Sequence, residues 1–230
     1  MTHDIGLVHV VREPTAGTDR DGPRPPLLIL LHGVGSNETS MARLAPALDP
    51  RFLILSVRSP IELGPSAYGW FHVAFTPQGS KIVVDEAVAG WQRIARLIDD
   101  AVRAYDADPA RVYLAGFSQG AIMSLATLLT APEKVAGVAA MSGRLLPEVL
   151  PYATPPEALA GKPVLILHGT QDDKLGVHLA RSARETLARF PLDLTYRELP
   201  IGHLVSQESL AEVSAWLTSR LDSEVAANAR

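Results

Sequence analysis

Arg111-Val112-Tyr113-Leu114-Ala115-Gly116-Phe117-Ser118-Gln119-Gly120-Ala121-Ile122-Met123-Ser124-Leu125-Ala126 is the stretch that decides the fold. Its first part, 112–115, is a short uninterrupted apolar run and reads as a strand buried on both faces. Its last part, from 119 to 129, reads as an apolar helix. Between them Gly116-Phe117-Ser118-Gln119-Gly120 fits the G-x-S-x-G pattern of a nucleophile elbow. That turn passes sharply from strand to helix, and its small flanking residues leave room for a strained serine at the strand's end. Five residues of pattern are weak by themselves, and the competing reading is a packing turn with an inert serine. The strand before and the helix after supply the context the motif requires.

Working outward, the same grammar repeats. Apolar runs at 27–31, 52–57, 135–140, 164–167 and 194–199 read as further buried strands, and 7–11 as a short edge strand. Helical patterns fall between them at 85–105, 177–190 and 207–221. In the first of these, Val88, Trp91, Ile94, Ile98, Ala101, Val102 and Tyr105 recur at helical spacing. Trp91 and Trp216 fit apolar helix faces and are expected in the core. Alternating strands and helices predict an α/β fold, a mostly parallel central sheet with helices on both faces. Residues 14–26, rich in Pro, Gly and Asp, read as a surface loop, 61–80 shows no clean period, and 222–230 reads as a frayed polar tail.

The chain has 230 residues, enough for one such domain and its core without staples. It contains no cysteine, which removes disulfides, thiolate catalysis and Cys-ligated metals. The net charge of -4, without a dense Lys/Arg run, gives no electrostatic footprint for nucleic acid or an anionic membrane. Residues 1–11 show no signal-peptide pattern, and no apolar run reaches membrane-spanning length, so a soluble cytoplasmic protein is expected.

In open α/β sheets the loops after the strands' C-terminal ends carry the site. A serine hydroxyl needs a base, and the expected chain order is Ser, acid, His. Beyond residue 170 the histidines are His178 and His203. His178 lies inside a helical pattern, whereas His203 follows a strand on a loop, so His203 is the expected base. For the acid, Asp172 and Asp173 both follow the strand at 164–167, and Asp193 is a weaker third candidate. The oxyanion donors are expected to be the backbone N–H of Gln119, opening a helix, and that of Val34, after His32-Gly33. His32 and His168 each precede a glycine at a strand end and read as structural. No metal-ligand spacing, dinucleotide fingerprint or P-loop is present. Gly69-Trp70-Phe71-His72 reads equally well as a substrate wall or as a small satellite core.

Together, Leu31-His32-Gly33-Val34-Gly35, Gly69-Trp70-Phe71, Gly116-Phe117-Ser118-Gln119-Gly120, Ser142-Gly143, His168-Gly169-Thr170-Gln171-Asp172 and Gly202-His203 resemble the phospholipase/carboxylesterase family of α/β-hydrolases. That family includes bacterial carboxylesterases and acyl-protein thioesterases. The resemblance runs from about residue 27 to 220 in the family's order. It implies a Ser118, Asp172, His203 triad, and it is the ground for preferring Asp172. It also implies oxyanion donors at Val34 and Gln119, no cofactor, and a homodimer. Apolar residues after the acid commonly line the family's acyl pocket, which points to Leu175 beside Trp70 and Phe71. Here that segment is Asp173-Lys174-Leu175-Gly176, where the family usually has Pro-Val-Val-Pro. Two further positions depart: His72 stands where an acid is common, and Ser36-Asn37-Glu38 replaces the usual Asp-containing loop.

The reading that follows is a serine carboxylesterase for small-molecule esters of short to medium acyl chain, working through an acyl-enzyme. A thioesterase or lysophospholipase with the same machinery is the first alternative. A non-catalytic binding protein on this fold is the second, although no triad member is lost. Peptidase action has no distinguishing feature.

Overall fold

The computed structural model describes residues 3–17, 22–76 and 79–228. In chain order the strands are β1 (His9–Arg12), β2 (Leu27–Leu31), β3 (Leu53–Val57), β4 (Ile61–Gly64), β5 (Ala67–Gly69), β6 (Val73–Thr76), β7 (Gly79–Ile82), β8 (Val112–Phe117), β9 (Gly137–Met141), β10 (Pro163–Gly169) and β11 (Asp193–Leu199). The helices are α1 (Glu38–Ala42), α2 (Val84–Ala104), α3 (Gln119–Thr130), α4 (Val177–Leu187) and α5 (Gln207–Asn228). Seven strands form the main sheet in the order β1-β3-β2-β8-β9-β10-β11. All neighbours are parallel except β1, which pairs antiparallel with β3 at one edge.

The uninterrupted apolar runs have a direct cause. Successive side chains in a strand point to opposite faces, and here both faces are covered. Leu27, Ile29 and Leu31 of β2 join one core cluster, with Trp91 and Ile94 of α2 and Leu128 of α3. Leu28 and Leu30 join the other, with Met41 of α1 and with Val213 and Trp216 of α5. Each fully buried leucine contributes about 1.5–3 kcal/mol relative to an exposed one, so no strand face tolerates a polar residue cheaply. Trp91 and Trp216 sit in these cores as the helical spacing predicts.

Three readings are sharpened or corrected. The region 61–80, which shows no clean period, contains two antiparallel strand pairs, β4–β5 and β6–β7; its residues 77 and 78 lie outside the described residues. Its strands are only three or four residues long, too short for a period to emerge, and β4 carries a register shift between Glu62 and Gly64. The segment from 222 to 228 is not a frayed tail, because α5 runs on to Asn228; residues 229 and 230 lie outside the described residues. Helix α4 stops at Leu187, ahead of Pro191, rather than reaching 190. In the 14–26 loop, residues 18–21 likewise lie outside the described residues. Among the described residues no helix is long and apolar enough to cross a membrane.

Candidate active site

Ser118 stands between β8 and α3 with φ 53° and ψ -114°, a left-handed conformation a serine adopts only under constraint. The elbow's two outer glycines are required by close approach. A Cβ on Gly116 would fall 2.3 Å from the Gly120 carbonyl carbon, and one on Gly120 would fall 2.0 Å from the Leu31 carbonyl oxygen. The first turn of α3 is therefore pressed against the ends of β8 and β2, which aims the Ser118 hydroxyl outward.

His203 and Asp172 reach Ser118 from the ends of strands three and two places along the sheet from β8. His203 lies on the loop after β11, and Asp172 on the loop after β10. The Ser118 Oγ is 2.9 Å from His203 Nε2, and His203 Nδ1 is 2.7 Å from Asp172 Oδ2. Nδ1–H donates to the carboxylate, which leaves the Nε2 lone pair to accept the serine proton. The other Asp172 oxygen, Oδ1, accepts from the Lys174 and Leu175 amides at 2.9 and 2.8 Å. Burial opposes the charge on Asp172, but the His203 hydrogen bond and those two amides outweigh it. Its pKa lies below the usual carboxylate value. The other two acid candidates lie elsewhere: Asp173 is exposed beside Lys174, and Asp193 pairs with Arg220 at 2.7 Å.

His32 and His168 brace the loops, as the sequence reading expects. His32 is fully buried, its pKa lowered by burial; Nδ1–H donates to the Gly33 carbonyl and Nε2 accepts from the Ser59 amide. His168 donates from Nε2 to the Leu175 carbonyl at 2.7 Å, holding the loop whose amides cap Asp172.

Val34 and Gln119 both border the space in front of Ser118. Neither backbone N–H donates to an acceptor among the described residues, as expected for Gln119 at the first position of a helix. Gln119 also has a role that the sequence did not reveal. Its side-chain Oε1 accepts from the Trp70 amide at 2.6 Å, and its Nε2 donates to the Phe71 carbonyl at 2.7 Å. This amide clamps the segment between β5 and β6 against the nucleophile helix.

In front of Ser118 lies a cavity of about 520 Å³. Phe71 and Leu175 line it. Trp70 does not: it is wholly buried in the core. Of the two readings, wall and core, Phe71 carries both, lining the cavity from within the core cluster, and Trp70 is core alone. Sequence reasoning missed Met41 and Leu44, Val73 and Ile82 from the β6–β7 pair, and Ile122 on the first turn of α3. It also missed Arg144, which follows Ser142-Gly143. Only Ile122 carried a local signal, four residues beyond Ser118 on the same helix face. Among the described residues no group of three or more His, Asp or Glu side chains is placed to hold a metal ion.

The sequence profile of the phospholipase/carboxylesterase family matches residues 18–221. The chain is 30% identical to the esterase YpfH of Escherichia coli over 91% of its own length and 85% of that protein's. It is 29% identical to acyl-protein thioesterase 1 of Neurospora crassa, covering 86% of this chain and 92% of that one. In fold it is similar to the Bacillus cereus carboxylesterase, with a TM-score of 0.78 at 22% identity over 94% and 95% of the two chains.

Proposed function

The chain belongs to the phospholipase/carboxylesterase family of α/β-hydrolases and is an enzyme acting on ester bonds; from that premise we propose that it hydrolyses short- to medium-chain carboxylic esters through an acyl-enzyme on Ser118. The observation that carries this reading is the unbroken hydrogen-bond chain from Ser118 through His203 to Asp172 at the floor of the cavity.

Ser118 Oγ attacks the ester carbonyl carbon while His203 Nε2 takes its proton. Asp172 holds the Nδ1–H tautomer and stabilises the imidazolium that forms. The carbonyl oxygen, now negative, takes the Val34 and Gln119 amides, with the α3 dipole behind the second. Collapse expels the alcohol, protonated from His203. Water then attacks the acyl-enzyme with His203 as base, and the acid leaves as Ser118 regains its proton. Each step is accounted for by side chains and backbone amides of this chain.

The apolar lining, with Met41, Leu44, Phe71, Ile122 and Leu175, supports an alkyl acyl group of modest length in about 520 Å³. Ser118→Ala should reduce turnover of short p-nitrophenyl esters by at least about a thousandfold; wild-type turnover in that variant would overturn the assignment. The similarity to an acyl-protein thioesterase favours thioester hydrolysis as the second reading. A panel of matched esters and thioesters of rising acyl length decides between them.

A further inference from the structure

The charged side chains lining the cavity among the described residues are Arg144 and Lys174, both cations; no Asp or Glu lines it. This runs against the chain's net charge of -4. The two are unlike each other. Lys174 is largely exposed and leans 3.4 Å from Asp173 at the surface. Arg144 is half-buried, and its guanidinium forms no hydrogen bond or ion pair with any described residue. The nearest opposing influence is Glu148, which attracts Arg144 without coming within ion-pair distance and whose Oε2 is itself buried without a partner. Burial pulls the Arg144 pKa below its ordinary value, and the attraction of Glu148 offsets only part of that pull. A guanidinium is a fork of five donors suited to a carboxylate, and one left unpaired in an apolar cavity is costly.

The topology puts Arg144 on the wall of the cavity that Ser118 faces. Ser118 ends β8, whose two neighbours are β2 and β9. The β2 side delivers Val34, Met41 and Leu44, and the β9 side delivers Arg144 through Ser142-Gly143. The join is tight: a Cβ on Gly143 would lie 3.2 Å from the Ser118 carbonyl oxygen and 2.6 Å from the Ala121 Cβ. Arg144 is thus fixed on the flank of the nucleophile opposite the loop that offers the Val34 amide.

Resting on the esterase reading above, we propose that Arg144 is a specificity-determining residue that binds a carboxylate carried by the ester substrate, in its acyl or its alcohol part. One half-buried cation in a mostly apolar cavity, with the second cation held at the exposed rim beside Asp173, matches a single negative charge. A dianionic phosphate would bring a second charge that the apolar walls leave unmet. Lys174, at the exposed rim, steers such a substrate inward without fixing it.

The test compares matched pairs by pH-stat: monoethyl glutarate with ethyl valerate for the acyl side, and 3-acetoxypropanoate with propyl acetate for the alcohol side. In the wild type at low ionic strength, kcat/KM for the anionic ester exceeds that for its neutral partner in at least one pair. The ratio falls as salt is added. Arg144→Gln lowers that ratio by about tenfold to a hundredfold, as expected when a charged hydrogen-bond pair is removed, and Arg144→Lys keeps part of it. A ratio at or below one in both wild-type pairs overturns the proposal, as does a ratio that Arg144→Gln leaves unchanged. Should Arg144→Gln fail to show a cooperative melt, the wild-type ratio, its salt dependence and Arg144→Lys decide. Ser118→Ala separates the two readings. If it loses all hydrolysis of the neutral esters while no anion preference exists, the carboxylate site fails alone. If it retains hydrolysis, the esterase reading fails first.

Discussion

His203 Nδ1 meets Asp172 Oδ2 at 2.7 Å, and the remaining oxygen of that carboxylate is occupied by two amides from its own loop. The carboxylate cannot rotate without giving up hydrogen bonds on both oxygens. It therefore fixes both the charge behind His203 and the ring's tautomer.

Asp172→Asn should keep the fold but lose this control. An amide can present its NH₂ to Nδ1 and so favour the wrong tautomer, with the proton on Nε2. The expected loss in kcat is about 10³–10⁴-fold with a much smaller change in KM. Steady-state kinetics on a p-nitrophenyl ester, with circular dichroism as the folding check, measure it.

Acid stability should depend on a second carboxylate, far from the site. The Arg51 guanidinium holds the Asp49 pKa down at about 2, against burial and with help from the Arg51 amide and the Thr218 hydroxyl. A folded pKa below the unfolded one means stability that is complete above the unfolded value of about 3.9 and lost as pH falls through the folded value. The contribution at neutral pH is on the order of 2 kcal/mol. Urea unfolding of wild type should weaken between about pH 4 and pH 2, and that part of the slope should vanish in Asp49→Asn.

Gly120→Ala should be among the most damaging single-methyl changes in the chain. Its Cβ would lie 2.0 Å from the Leu31 carbonyl oxygen, which is backbone of a central strand and cannot yield. The loss should reach about 3 kcal/mol or more, with activity lost beyond what the unfolded fraction explains. Melting temperature and fluorophosphonate labelling of Ser118 report the two effects separately.

Gln119→Ala removes the clamp while keeping the backbone amide. The buried Trp70 N–H then has no acceptor, at a cost of about 1–3 kcal/mol. Because Phe71 lines the cavity, the variant should also show a raised KM for the longer esters of an acyl-length series.

Ile122→Trp fills the cavity one helical turn beyond Ser118. The acyl-length profile should shift toward acetyl and propionyl esters, with kcat/KM for hexanoyl esters falling by at least about tenfold. An unshifted profile would mean that the acyl chain lies elsewhere.

What the sequence determined by itself is what neighbouring residues dictate to each other. Apolar runs of strand length, helices at 3.6-residue spacing, and the elbow with its strand before and helix after are local patterns. They carried the sheet, Ser118, and His203 on its loop. Among three aspartates local pattern gave no unique acid; family resemblance pointed to Asp172, and the fold brings it alone to His203. The strand pairs of 61–80 escaped because three- and four-residue strands hold no period. Trp70 and Phe71 are adjacent and buried in one core cluster, yet only Phe71 also lines the cavity, a division that no local pattern carries. Arg144 carried no local signal at all. It reaches the cavity because β9 pairs with β8, a contact between segments distant in sequence, and such pairing exists only once the chain has folded. The residues proposed to react could be picked out in the chain, whereas the walls and charges of the cavity in front of them were decided by the tertiary structure.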